Sequence, residues 1–246
     1  MKRILIVGAT SAIAVSCARR WAGDGASFFL VGRHADRLDQ VAQDLVARGA
    51  KDVSRYVLDM NDFGRHTAML DACTTHFATI DIALVAHGTL SDQKACEQDV
   101  TITLQELSTN ALSVIALLTP LANLMSHAGQ GVIAVIGSVA GDRGRPSNYV
   151  YGTAKSALST FCEGLRARLS KVGVHVVTVK PGFVDTPMTA GLPLPGPLVA
   201  TPDKVASDIV RAVEKRRDVV YTPWFWAGIM LIIRAIPTRV FKRLSL

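Results

Sequence analysis

The sequence predicts an α/β protein built on a parallel, doubly wound sheet, and three observations predict it. Apolar runs of strand length alternate with helix-like stretches throughout, the pattern that lays helices over both faces of one sheet. The strand-like runs are nearly uninterrupted in apolar character, as in VIAVIG at 132–137, which suits strands covered on both sides. A chain of 246 residues, 49% of them hydrophobic, can bury a sizeable core, and α/β chains of this size are commonly one unit.

Taken in order, apolar runs place strands at residues 4–7, 27–31, 53–58, 82–86, 131–136 and 174–179, with a short seventh at 219–221. Helices are expected between them at 13–22, 35–47, 64–77, 104–125, 149–169 and 202–215. The last opens on Thr201-Pro202-Asp203, a cap residue followed by proline at the first helical position. Residues 186–201, TPMTAGLPLPGPLVAT, are rich in proline and glycine and show no element of their own. A loop of that length in a compact domain reads as a functional lid. No internal repeat or low-complexity segment is visible.

The net charge of +7 invites a nucleic-acid partner until its position is considered. Residues 211–246 hold eight cations and two anions, so the basic character belongs to a tail and no nucleic acid is expected. Cys17, Cys73, Cys96 and Cys162 stand far apart, without the spacing of a zinc site or a disulfide framework, and no metal is expected. Buried thiols in a reducing compartment follow. The N-terminal apolar run is too short for a signal peptide, so a cytoplasmic location is expected.

The chemistry centres on Ser138, at the end of a strand, and on Tyr151 and Lys155, four residues apart at the start of a helix. That spacing puts the phenol and the ammonium on one helix face. A cation held close to a phenol lowers its pKa toward the working pH, giving a proton donor or acceptor. Gly8-Ala9-Thr10-Ser11-Ala12-Ile13-Ala14 lies where the first strand turns into the first helix. Such a turn lets the backbone approach a pyrophosphate, which the helix N-terminus then stabilises.

With this turn, Ser138, Tyr151 and Lys155, the chain resembles the short-chain dehydrogenase/reductase family over roughly residues 1–221. The resemblance implies a single Rossmann-like, NADP-binding reductase domain at 1–221, followed by an apolar and basic tail at 222–246. Two departures stand out. Ala12 and Ala14 occupy the places of the family's second and third glycines, and Ala86-His87-Gly88 replaces Asn-Ala-Gly after the fourth strand. His87, with no carboxylate nearby in sequence, reads as structural.

The residues after the second strand, Val31-Gly32-Arg33, choose between cofactors. An acid there would bind a ribose 2′-hydroxyl, whereas a 2′-phosphate needs a cation. Gly32 removes the acid and Arg33 supplies the cation, with Arg37 one helical turn on, so NADP(H) is the expected cofactor. The resemblance assigns Asp59 to the adenine; a plain turn aspartate is the other reading. By resemblance the remaining cofactor contacts are Gly8, Thr10, Ser11, Ala12, Ile13, Ala86 and Gly88. Pro181, Gly182, Val184 and Thr186 would close over the nicotinamide.

The same resemblance assigns catalysis to Asn110, Ser138, Tyr151 and Lys155. Tyr151 would exchange a proton with the carbonyl or alcohol oxygen, Ser138 would hydrogen-bond that oxygen, and Lys155 would lower the Tyr151 pKa while binding the nicotinamide ribose. Asn110 would hold a water that relays the proton. The implied reaction is interconversion of a ketone and a secondary alcohol by hydride transfer.

The tail joins ten apolar residues, 224–233, to a basic stretch. Ten residues fall short of the roughly 20 needed to span a bilayer. On a helix Ile229, Ile233, Ile236, Val240 and Leu244 group on one side, with Arg234, Arg239, Lys242 and Arg243 in the other half-turn, and Pro237 must break it. This pattern suits a segment lying in a membrane interface, or equally one packed on the protein's own core or on a second subunit. The Trp-to-basic ending is similar to that of decaprenylphosphoryl 2-keto-ribose reductases, which implies a hydrophobic, lipid-linked keto-sugar as substrate at a membrane surface. A homo-oligomer is expected. A reductase of a small soluble ketone, with the tail as an oligomer contact, and a nucleotide-binding scaffold without turnover both stay open.

Overall fold

In the computed structural model, which describes residues 1–244, the predicted sheet forms. Its strands are β1 (Arg3–Val7), β2 (Ser27–Gly32), β3 (Asp52–Val57), β4 (Ile82–Val85), β5 (Gly131–Ile136) and β6 (Val174–Pro181). A separate pair, β7 (Phe183–Val184) and β8 (Val199–Ala200), precedes the last strand, β9 (Val219–Thr222). The main sheet runs β3-β2-β1-β4-β5-β6-β9, every neighbouring pair parallel. Strand order reverses between β1 and β4, so the crevice at their carboxyl ends is where a doubly wound sheet binds its ligand.

The side-chain period of two divides the core between the faces. Ile4 and Ile6 of β1 point one way, with Phe28 and Leu30 of β2, against Trp21 of α1 (Ala12–Gly23) and Ile209 of α8 (Pro202–Glu214). Leu5 and Val7 point the other way, toward Met69 of α3 (His66–Phe77), Leu121 of α6 (Ser113–Ala128) and Leu158 of α7 (Tyr149–Leu169). Every residue of β2 is buried, as two-sided cover requires. Each such Leu, Ile or Phe contributes roughly 1.5–3 kcal/mol. α2 (Ala35–Ala47) completes the first face through Leu38 and Leu45.

Three expectations need correction. The helix placed at 104–125 is longer: α5 (Val100–Leu107), a π-helical turn at Ser108–Leu112 and α6 run on continuously. That run, Val100–Ala128, is apolar and long enough to cross a membrane by length and composition, yet Leu117, Leu118, Leu121 and Met125 pack into the core. Before it lies an unforeseen helix, α4 (Gln93–Gln98). The Asp92 carboxylate caps it by accepting from the Lys94 and Ala95 amides at 2.7 and 3.1 Å, and Asp99 caps α5 through the Thr101 amide at 2.7 Å. Finally, the loop at 186–201 is not featureless. It contains a 3-10 turn at Gly196–Leu198 and ends in β8, which pairs with β7 through Phe183↔Val199 and Val184↔Ala200.

The tail breaks at Pro237 as expected, into α9 (Trp226–Ala235) and α10 (Thr238–Phe241). Its inner face packs on the domain: Trp226 and Met230 are buried with Val139, and Phe183, Ile229 and Ile233 lie against them. The expected stripe is therefore split, because Val240 and Leu244 are exposed while Trp224, Leu231 and Ile232 are 79%, 71% and 68% exposed on the outer side. The boundary expected after residue 221 falls one residue inside β9, and the tail's last two positions, 245–246, lie outside the described residues.

Candidate active site

Each residue that the sequence singled out for cofactor or catalysis lines one cavity of about 680 Å³ at the carboxyl end of the sheet. That volume falls within the roughly 300–1,000 Å³ of small-molecule sites. At one end, Gly8 follows β1 with φ of +80°, and a Cβ there would stand 2.5 Å from the His87 amide nitrogen. Only glycine lets the β1 and β4 turns come this close. Ser11 caps α1 by accepting from the Ala14 amide at 3.2 Å, which leaves Thr10, Ala12 and Ile13 around the helix N-terminus. Ala14 fills the third glycine's place as a fully buried core residue. The Gly8 turn and the open N-terminus of α1 thus keep their close backbone approach despite both alanines.

Arg33 follows β2, exposed, with its guanidinium 3.9 Å from Asp59 Oδ2; both line the cavity, as does Arg37. Asp59 also accepts from the Asn61 amide at 2.9 Å, as a turn aspartate does. His87 lines the cavity and is anchored by Ser113. Ser113 Oγ donates to the Thr109 carbonyl (2.7 Å), so His87 Nε2 donates to Ser113 Oγ (2.8 Å) and Nδ1 is an acceptor without a partner among the described residues. Burial and the nearby Lys155 push its pKa down to about 3, which keeps the imidazole neutral.

At the other end, β5 delivers Ser138, whose hydroxyl caps the 3-10 turn Val139–Asp142 by accepting from the Ala140 amide at 3.1 Å. Two glycines seat this turn on α7. A Cβ at Gly141 would lie 2.6 Å from the Lys155 carbonyl carbon, and one at Gly152 would lie 2.9 Å from the Ala140 oxygen. The close approach sets the Ser138 hydroxyl near enough to Tyr151 to lower its phenol pKa. Lys155, on the same face of α7, is buried, donates to the Ile136 carbonyl at 3.2 Å and stands 5.6 Å from the centre of the Tyr151 ring.

The electrostatics correct one expectation. Burial pushes the Tyr151 phenol up to about 12, with the Ser138 hydroxyl lowering it and the Glu106 carboxylate raising it. Burial also brings Lys155 down to about 8 against the pull of Glu106. The desolvation of both groups outweighs their proximity, because the ammonium lies over the ring and bonds a carbonyl instead of the phenol oxygen.

Asn110 sits in the π-helical turn, completely buried. Its amide donates to Glu106 Oε1 (2.8 Å) and Thr89 Oγ1 (3.1 Å), and its Oδ1 accepts from the Thr89 amide (3.1 Å). Both amide hydrogens are spent on protein groups, and Oδ1 keeps a second lone pair with which the expected water could bond. Glu106, which sequence reasoning missed, anchors this network: its other oxygen accepts from Thr89 (2.9 Å) and Ser91 (2.5 Å). The i, i+4 spacing to Asn110 was its only signal.

Pro181 ends β6, Val184 lies in β7, and Thr189 ties the closing segment together by donating to the Val184 carbonyl (2.6 Å) and accepting from the Thr186 amide (3.2 Å). Gly182 is pressed under the tail, where a Cβ would meet the Trp226 indole at 1.9 Å. Arg145 and Asn148 also line the cavity, unforeseen.

Known proteins resemble this arrangement at several levels. A model of the short chain dehydrogenase family matches residues 2–194. An uncharacterized oxidoreductase of Mycobacterium tuberculosis is 36% identical over 98% of this chain and 96% of its own length. Sulfoacetaldehyde reductase 2 of Chromohalobacter salexigens is 31% identical over 76% of this chain and 74% of its own. In fold, a variant of actinorhodin polyketide ketoreductase solved with NADPH matches with a TM-score of 0.80 and 21% identity, over 89% of this chain and 95% of that one.

Proposed function

The chain belongs to the short-chain dehydrogenase family of oxidoreductases, and on that premise we propose that it interconverts a ketone and a secondary alcohol with NADP(H). The observation that carries this reading is the meeting of Ser138, Tyr151 and Lys155 in one cavity with the Gly8 turn and Arg33. A nicotinamide dinucleotide bound there supplies or accepts the hydride. The α1 N-terminus and the Gly8 turn hold its pyrophosphate, and Arg33, aided by Arg37, holds the 2′-phosphate.

At the reacting end, Tyr151 donates its proton to the carbonyl oxygen in reduction and recovers it in oxidation, while Ser138 hydrogen-bonds the same oxygen. A phenol held near 12 stays protonated at neutral pH, which suits the reductive direction. Lys155 binds the ribose hydroxyls, and a ligand oxygen at its ammonium favours the charged form that burial opposes. Asn110 and Glu106 fix the wall behind Lys155.

The substrate is hydrophobic or lipid-linked, a keto-sugar on a lipid carrier being the reading that the tail favours. Met188, Leu192 and Leu194 give the cavity an apolar lip, and the outward Trp224, Leu231 and Ile232 beside tail cations suit a peripheral membrane contact. Titration with NADPH and NADH, followed by NADPH oxidation with a panel of ketones including lipid-linked keto-sugars, tests the proposal. NADPH binding tighter than NADH and turnover that collapses in Tyr151→Phe are expected; ketone turnover unchanged in that variant rejects the mechanism.

A further inference from the structure

Resting on that reading and deepening it, we infer that the ketone substrate carries an oxyanion, phosphate- or carboxylate-like, which Arg145 binds beside Tyr151. Arg145 lies on the loop between Ser138 and α7, six residues before Tyr151, and lines the cavity at its reacting end. Its Nε is buried without a hydrogen-bond partner, and no ion pair engages its guanidinium among the described residues. Next to it Asn148 presents a buried Oδ1 that is equally unpartnered.

The natural structural partner is already spent. Asp142 attracts Arg145 electrostatically, but its Oδ1 accepts from Lys180 at 2.5 Å and its Oδ2 from the Tyr221 hydroxyl at 2.7 Å. Arg143, two residues earlier, shows what a structural arginine does here: it donates to the Ile233 and Ile236 carbonyls at 2.5 and 2.7 Å and stacks on Phe241. Of the described residues lining the cavity, Asp59 is the one carboxylate, and it lies with Arg33. Arg145 is therefore a partly desolvated cation facing a cavity that does not neutralise it. Such a group costs free energy unless a counter-charge arrives, and a planar guanidinium matches the two oxygens of a phosphate or carboxylate. The 2′-phosphate already has Arg33 at the far end, which leaves the substrate as the source. Leu90, Met188, Leu192 and Leu194, which line the same cavity, accept an apolar arm.

The test uses the full chain saturated with NADP+ and titrated calorimetrically with phenyl phosphate. Binding that weakens 10- to 100-fold in Arg145→Gln and partly recovers in Arg145→Lys is expected, from the usual strength of a charged hydrogen bond. The Gln variant should melt with or slightly above the parent, since no protein partner is lost and a desolvated charge is removed. A second arm compares dihydroxyacetone phosphate with dihydroxyacetone, and predicts that the kcat/KM ratio of charged to neutral ketone falls 10- to 100-fold in Arg145→Gln. Adding the palmitoyl ester of the same phosphate separates the sources: a lower KM for the ester assigns the anion to a lipid headgroup, and an equal one to a free metabolite. Phenyl phosphate that binds both proteins equally, or neither, overturns the inference even if ketones are reduced. Arg145-dependent binding with no ketone turnover keeps the anion site and rejects the reaction.

Discussion

Lys155 is a buried ammonium whose bond within the fold is to a single backbone carbonyl, Ile136 O, and this has consequences for stability. At pH 7 folded and unfolded chains both carry the proton, so the gap between 10.5 and about 8 acts fully against folding, on the order of 3 kcal/mol. Above pH 8 the folded chain sheds the proton first, and the cost disappears by the unfolded pKa. Lys155→Met is therefore expected to raise the Tm at pH 7 by a few degrees while abolishing turnover, with the gain shrinking between pH 8 and 10.5. A Met variant less stable than the parent at every pH contradicts this. At the opposite end, Arg33→Ala is expected to weaken NADPH binding about 10- to 100-fold and leave NADH nearly unaffected, by fluorescence titration; equal losses for both reject the 2′-phosphate assignment. Ser138, Tyr151, Lys155 and Arg33 were legible because spacing and chain position carry their meaning. The protonation balance was not, because desolvation depends on neighbours such as Glu106, which come from elsewhere in the chain.

Two elements decide how well the site is assembled. The turn after Ser138 meets α7 through Gly141 and Gly152, so Gly141→Ala pushes a methyl into the Lys155 backbone and separates Ser138 from Tyr151. A loss of kcat exceeding the loss of cofactor affinity is expected, and kinetics matching the parent would show that the contact has slack. The second element is α9, whose Trp226 covers Gly182. Trp226→Ala is expected to cost about 3 kcal/mol, read from denaturant unfolding, and to loosen the segment that closes over the nicotinamide. Most helices and strands with strong patterns were read to within a residue or two, the long run Val100–Ala128 being the exception. The π-helical turn and the β7–β8 pair escaped, because one extra residue in a helical register and a two-residue ladder leave no periodic trace. α4 escaped for lack of length, though Asp92 and Asp99 marked its ends.

At the scale of the molecule, the strand order and the reversal between β1 and β4 explain why residues from Gly8 to Thr186 converge on one crevice. Alternation and the glycine-bearing turn made that architecture legible in advance. What the tail does was open between a membrane, the protein's own core and a second subunit; Trp226 and Met230 pack inward on the core, while Trp224, Leu231 and Ile232 are exposed. The outward side is expected to carry the protein down with anionic vesicles, less so at high salt and not at all in a Leu231→Glu/Ile232→Glu double variant. Absence of sedimentation in the parent ends the membrane reading and leaves the reductase untouched. The central claim, hydride transfer from NADPH with Tyr151 as acid, is tested most directly by single turnover with NADPH deuterated at the nicotinamide C4. The account predicts deuterium on the former carbonyl carbon and a 10²- to 10⁴-fold slower transfer in Tyr151→Phe; no label in the product, or equal rates in both proteins, would contradict it.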